Sequence, residues 1–198
     1  MKLIDCYKNC KYNTDKAYSH YFLNIYDKFF NSYQDKKLNF LEIGLYDGNS
    51  MVLWDDFFQN KETNIYGVDI DIRPKLQEKI NNKEFTERVN IHNFDVNTID
   101  DSPLKDIKFD IIIEDGSHTY ADQLNFIKKF KHRLTPGGMF FIEDIESVET
   151  LYKLLAHDRD LIYIDSRNRL NVADNTHRYD DFLIVYFNDE TIPFNGIV

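Results

Sequence analysis

Leu38-Asn39-Phe40-Leu41-Glu42-Ile43-Gly44-Leu45-Tyr46-Asp47-Gly48-Asn49-Ser50 is the stretch on which the reading of the chain turns. A short apolar run, Phe40 to Ile43, ends in Gly44, and Gly48 follows four residues later. Met51 to Phe58 then opens an amphipathic helix. Strand, glycine turn and helix together bring backbone amides up to a ligand, because glycine permits the torsions and the close approach, and a helix N-terminus offers unpaired N–H groups. The spacing is Glu-x-Gly-x-x-x-Gly-x-Ser, with an acid inside the strand end, and differs from the three-glycine dinucleotide pattern.

Working outward, the alternation of short apolar runs with helical periodicity continues on the C-terminal side. Asn64 to Asp69 reads as a second strand ending in acid, residues 75–84 as a helix and Val89 to His92 as a third strand. The third strand trails into a polar loop with Asp95, Asp100 and Asp101. Phe109 to Ile113, with three isoleucines in a row, has the composition of a strand covered on both faces. Ala121 to Leu134 reads as a helix stopped by Thr135-Pro136-Gly137-Gly138, and Met139 to Ile142 as a fifth strand. Val148 to His157 is helical in pattern; Leu161 to Ile164 and Phe182 to Phe187 read as strands joined by a long polar loop, 166–180. On the N-terminal side, Phe22, Ile25, Tyr26, Phe29 and Phe30 recur at helical spacing between Ala17 and Tyr33, with Asn13-Thr14-Asp15 as the boundary. The expected architecture is a single α/β domain with a Rossmann-like, doubly wound, mostly parallel sheet and an antiparallel C-terminal strand pair.

Composition narrows the function. With 198 residues, 42% of them hydrophobic, the chain is long enough for one buried core and too apolar to be disordered. A net charge of −10 argues against a general nucleic-acid binder, which needs clustered Lys and Arg. No apolar run approaches the ~20 residues of a membrane span, and the N-terminus lacks the apolar core of a secretory signal. A cytoplasmic protein without membrane or nucleic-acid partners is therefore expected, with self-association into a homo-oligomer left open. Cys6 and Cys10, the sole cysteines, read as bystander thiols.

In a sheet of this kind ligands sit beyond the carboxyl ends of the strands, at the topological switch point. Acids stand at all five ends: Glu42, then Asp69 and Asp71, then Asp95, then Glu114 and Asp115, then Glu143 and Asp144. Asp69, 25 residues after Gly44, suits hydrogen bonds to the two hydroxyls of a ribose. An acid beside the turn repels phosphate and suits a cation, which favours the sulfonium and ammonium of S-adenosylmethionine over a nicotinamide dinucleotide. Glu114 and Asp115 with Glu143 and Asp144 bring carboxylates together from neighbouring strands, a hard-oxygen site suited to Mg²⁺, Mn²⁺ or Ca²⁺. His118, three residues after Asp115 across a glycine turn, is the candidate general base toward a hydroxyl whose pKa the metal lowers. The other histidines lack such company; His177, in the loop 166–180 with Arg167, Arg169 and Arg178, reads either as a substrate contact or simply as surface.

The order Leu-Glu-Ile-Gly with Gly-Asn-Ser, Tyr-Gly-Val-Asp-Ile-Asp, Phe-Asp-Ile-Ile-Ile-Glu-Asp-Gly-Ser-His with Gln123 and Phe126, then Pro-Gly-Gly-Met-Phe-Phe-Ile-Glu-Asp, resembles the class I S-adenosylmethionine-dependent methyltransferases. Within these it is most similar to the metal-dependent sugar O-methyltransferases of macrolide biosynthesis, of the mycinamicin and macrocin type, and their glycan-modifying relatives. Thr14-Asp15-Lys16, His20 and Tyr26 resemble the N-terminal segment of that group. The resemblance implies a helical lead-in, 1–37, and a methyltransferase domain, 38–198. It implies S-adenosylmethionine held by Glu42, Gly44, Tyr46, Ser50, Asp69, Asp71, Asp95 and Glu114, a Mg²⁺ (or Mn²⁺) at Asp115, Glu143 and Asp144, catalysis by His118 with Asp115, and a sugar or glycan acceptor. Phe94 stands where that group usually has glycine, and Glu114 replaces the more usual Asp. A catechol-like diol as acceptor, a nicotinamide-dependent oxidoreductase and a silent nucleoside-binding module are the alternatives.

Overall fold

The structure is a computed structural model and describes residues 1–18, 20–166 and 182–189. Three short helices open the chain: α1 (Leu3–Asn9), α2 (Asp15–Tyr18) and α3 (Phe22–Phe30), the last followed by a 3₁₀ turn, Asn31–Tyr33. The alternating part follows as β1 (Asn39–Ile43), α4 (Asn49–Phe57), β2 (Asn64–Asp69), α5 (Pro74–Asn81), β3 (Val89–Asn93), a 3₁₀ segment Val96–Asp101, and β4 (Phe109–Glu114). Then come α6 (Tyr120–Phe130), a 3₁₀ turn Lys131–Arg133, β5 (Leu134–Ile142), α7 (Val148–His157), β6 (Ile162–Asp165) and β7 (Phe182–Phe187).

Seven strands form one sheet in the order β3-β2-β1-β4-β5-β7-β6. The first five run parallel, and β7 is antiparallel to both β5 and β6. The order reverses between β1 and β4, so the crevice in which such sheets bind ligands opens between Gly44 and Asp115.

Side-chain parity divides the core. Phe40, Ile111, Ile113, Met139 and Phe141 point to the face covered by α4 and the lead-in helices, where they meet Phe22, Tyr26, Phe30 and Trp54. Leu41, Ile43, Ile112, Phe140 and Ile142 point to the other face, against Phe126, Phe130, Leu151 and Leu154. Tyr26 stacks on Phe30 with centroids 4.9 Å apart and meets Phe141 edge-on at 5.0 Å. Such aromatic pairs add roughly 0.5–1.5 kcal/mol each beyond the area they bury.

Three differences from the sequence reading have physical causes. The periodic segment 17–33 is divided between α2 (Asp15–Tyr18) and α3, which starts at Phe22, while α1, too short to show a period, is an additional helix. The second is the stop read at Thr135-Pro136-Gly137-Gly138. The helix ends earlier, at Phe130, and β5 begins at Leu134, because Gly137 N–H donates to Asn188 O and Asn188 N–H donates to Gly138 O, drawing the glycines into the sheet. Third, the polar loop after β3 is wound into a 3₁₀ segment that Asp95 caps by accepting the Asn97 N–H at 2.9 Å. Of the long loop 166–180 only Ser166 is among the described residues; Arg167, Arg169, His177 and Arg178 lie outside them. Among the described residues no helix is long and apolar enough to cross a membrane.

Candidate active site

The turn after β1 is built on two left-handed glycines, Gly44 at φ +85° and Gly48 at φ +72°. A Cβ on Gly44 would fall 1.9 Å from the carbonyl oxygen of Asp115, so the absence of a side chain lets the turns after β1 and β4 touch. Asp69, at the end of β2, ties this turn down. Its Oδ2 accepts the N–H groups of Leu45 at 2.7 Å and Tyr46 at 3.2 Å, and its Oδ1 accepts the Asp71 N–H at 3.0 Å. These bonds take three of the carboxylate's roughly four lone-pair sites, so Oδ1 remains an acceptor toward a ligand.

Beyond these strand ends lies a cavity of about 670 Å³. Of the residues expected at the site, Gly44, Tyr46, Ser50, Asp69, Asp71, Asp95, Glu114, Asp115, His118 and Asp144 line it. Phe94, Val96, Phe126 and Phe130 also line it, as an apolar component beside the polar strand ends. Nine carboxyl side chains line it against Lys16, Arg73 and Lys129. An aromatic and apolar wall, a carboxylate acceptor at Asp69 and an excess of negative charge fit a nucleoside that carries a cationic tail, and disfavour a pyrophosphate.

Among the described residues four that are not glycine have left-handed backbone: Tyr46 (φ +48°), Lys83 (+54°), His118 (+58°) and Asp144 (+52°). Three of the four line the cavity. Backbone strain of this kind, on the order of 1–3 kcal/mol per residue, concentrates where a side chain has to be aimed. Here it aims His118 and Asp144 at one another and at Asp115. His118 Nε2 lies 3.9 Å from Asp115 Oδ1 and 3.9 Å from Asp144 Oδ2. One ligand atom from each of the three residues can be chosen such that all lie within 4.8 Å of one another. Two carboxylates and an imidazole at this spacing are a suitable donor set for Mg²⁺ or Mn²⁺. On the far side of Asp144, His20 Nδ1 lies 3.9 Å from Oδ1, its ring stacked on Phe22 at 4.9 Å.

The structure does not bring Glu42 and Glu143 into this group. Parity explains why: Glu42 follows Phe40 and Glu143 follows Phe141, so both side chains share the face covered by the lead-in. Both are buried. Glu42 Oε2 accepts from Ser50 Oγ at 2.8 Å and from Trp54 Nε1 at 3.0 Å, beneath the cavity rather than along it. Glu143 Oε1 accepts the Tyr26 hydroxyl at 2.5 Å, and its Oε2 accepts Lys16 Nζ at 2.8 Å.

Lys16 is the residue that sequence reasoning missed as a member of the site. Its buried ammonium reaches Glu42 Oε1 at 3.4 Å and Glu143, and donates to Asp115 Oδ2. Burial works against this charge, yet the pull of Asp115, Glu143 and Glu42 outweighs it and holds the ammonium well above its ordinary range. Asn13, Thr14 and Asp15 join it along the cavity wall.

Glu114 is held differently. Its Oε1 accepts the Gly116 N–H at 3.1 Å, while burial, helped by the nearby Asp115, Asp122 and Asp144 and opposed by that N–H, pushes its carboxyl up to about 8. The sign of the pH effect follows from the raised value. The unfolded chain ionises this residue near pH 4.5 and the folded chain near 8, so stability falls between those limits and levels off above them. The full span is on the order of 4–5 kcal/mol. Glu114→Gln keeps the acceptor for Gly116 and removes the titration. Urea unfolding in the presence of a chelator is expected to show the variant equal to the parent near pH 4.5 and more stable at pH 8. Parallel pH profiles would contradict this.

Residues 41–145 match a family model described as a methyltransferase domain. The chain is 31% identical over 152 residues to the mycinamicin VI 2''-O-methyltransferase of Micromonospora griseorubida, covering 68% of this chain and 34% of the relative. It is 27% identical over 149 residues to the 8-demethyl-8-alpha-L-rhamnosyl tetracenomycin-C 2'-O-methyltransferase of Streptomyces olivaceus, covering 69% and 36%. The chain thus spans about a third of the length of these relatives. Among solved structures it is similar to MycE, a methyltransferase from the mycinamycin biosynthetic pathway in complex with Mg and SAH, with a TM-score of 0.64 at 22% identity, over 98% of this chain and 56% of that one.

Proposed function

The chain belongs to the family of methyltransferase domains that its residues 41–145 match, and on that premise we propose that it moves a methyl group from S-adenosylmethionine to a hydroxyl of a sugar or glycan, with a divalent metal at Asp115 and Asp144 and His118 as general base. The observation that carries this reading is the convergence of Asp115, His118 and Asp144 within 4.8 Å, at the edge of a cavity suited to a cationic nucleoside. The names of the relatives support the reaction class, and that of the tetracenomycin relative, which includes a rhamnosyl group, supports a sugar acceptor. That the similar structure of MycE is a complex with Mg and SAH supports the two cofactors.

A divalent cation at the two aspartates would supply Lewis acidity that makes the acceptor hydroxyl more acidic. The protein's own groups supply the rest. His118 Nε2 faces the space between the two carboxylates and takes the hydroxyl proton, and the imidazolium so formed is flanked by Asp115 and Asp144. The oxygen attacks the methyl carbon; the new C–O bond forms as the C–S bond breaks, and its electron pair returns to sulfur, leaving neutral S-adenosylhomocysteine. The cavity walls contribute by holding donor and acceptor in line. Glu143 lies outside the Asp115, His118 and Asp144 group, bonded to Lys16 and Tyr26.

The test is methyl transfer from labelled S-adenosylmethionine to a panel of glycosides, rhamnosides first, followed by mass spectrometry with and without chelator. Transfer that falls at least 100-fold with EDTA and returns with Mg²⁺ or Mn²⁺ is expected. A rate indifferent to chelator would remove the metal from the proposal, and binding of NADH in place of S-adenosylhomocysteine would replace the reaction class.

A further inference from the structure

Asp115, Glu143 and Glu42 share one sheet face by parity, and a single buried cation from the lead-in meets all three. The contact divides the Asp115 carboxylate between two tasks. Oδ2 is taken by Lys16 Nζ, which leaves Oδ1 as the atom directed toward His118 and the space beside Asp144. Glu143 is divided in the same way, Oε2 on Lys16 and Oε1 on Tyr26. The short helix that delivers Lys16 is itself anchored across the site: Asn49 Nδ2, at the start of α4, donates to Asn13 O at 2.9 Å, and Tyr12 and Lys11 bond Glu84 beyond α5.

We propose that Lys16 is a positioning residue for the two metal-binding aspartates, fixing Asp115 from behind so that one carboxylate oxygen is presented and the other is not free to rotate into its place. A purely structural ion pair has no reason to engage a residue that lines the cavity, since a buried pair is weak evidence for stability and apolar replacements often serve as well. Groups that hold a ligand in orientation, by contrast, typically change metal affinity 10–100-fold when removed. The inference rests on the reading of Asp115 and Asp144 as metal ligands.

The experiment is Mn²⁺ titration of the full chain by calorimetry and electron paramagnetic resonance, without acceptor, for the parent, Lys16→Met, Lys16→Arg and the double variant Lys16→Met/Glu143→Gln. The double variant keeps the net charge and guards against misfolding from uncompensated carboxylates. The dissociation constant for Mn²⁺ is expected to rise about 10–100-fold in Lys16→Met and in the double variant, with a smaller rise, about three- to tenfold, in Lys16→Arg. Affinity for S-adenosylhomocysteine should change less than about threefold, since Lys16 bonds the acids and not the Asp69 end of the cavity. Parent-like Mn²⁺ affinity in the folded variants overturns the role of Lys16 and leaves the metal reading intact. A parent chain that binds no Mn²⁺ overturns both.

Discussion

Replacing His118 with alanine is expected to lower turnover about 10²–10⁴-fold while leaving the affinities for S-adenosylhomocysteine and Mn²⁺ close to those of the parent. The two halves of the result matter equally. The imidazole is near enough to both aspartates to serve either as a metal ligand or as a base, but one nitrogen cannot do both at once. A base loses the proton-transfer step and the acidic limb of the pH–rate profile, and metal binding survives. A ligand loses metal affinity in step with rate. His118 sits at φ +58°, where alanine is strained by about 1–2 kcal/mol, so His118→Asn, which tolerates the left-handed backbone, is the matching control. Turnover within tenfold of the parent in both variants would end the assignment.

The second large effect is expected at Asp144. Asp144→Ala should abolish stimulation by Mg²⁺ and reduce the rate by roughly 10²–10⁴-fold, because a metal that has lost a carboxylate no longer polarises the acceptor oxygen. Donor affinity should be retained, since the residues expected to hold the nucleoside, Asp69 and Asp95, stand at the ends of β2 and β3, whereas Asp144 follows β5. A metal titration followed by rate measurement checks both statements. If the variant is stimulated by Mg²⁺ with an unchanged half-saturation point, Asp144 is not a ligand and the cluster has to be reassigned.

How much of this was legible in the sequence depends on range. The β1 turn, the acids at the strand ends and the antiparallel terminal pair all follow from local patterns, so the sheet and the residues along its carboxyl edge are readable from runs of five or six residues. Parity was readable as well: alternation from Phe40 and from Phe141 already sends Glu42 and Glu143 to one face. What could not be read is the partner that waits there. Lys16 lies 99 positions from Asp115, in a Thr-Asp-Lys segment whose local chemistry describes only the start of a helix. Local pattern shows two glutamates at strand ends; only the folded chain shows the buried cation that both of them meet. The early start of β5 escaped for a similar reason. Pro136, Gly137 and Gly138 are breakers by local rules, and only the backbone of Asn188, 50 residues on, overrides them.

The sharing of one core by α1, α3 and the central strands bears on where the protein can be cut. The family model begins at residue 41, but a fragment trimmed to that boundary would leave Trp54 and Phe141 without Tyr26 and Phe30 against them. It would also strand two buried glutamates without their counter-ion. The smallest piece that folds therefore starts well upstream of the smallest piece that a profile detects, and expression trials designed on the profile alone would yield aggregates.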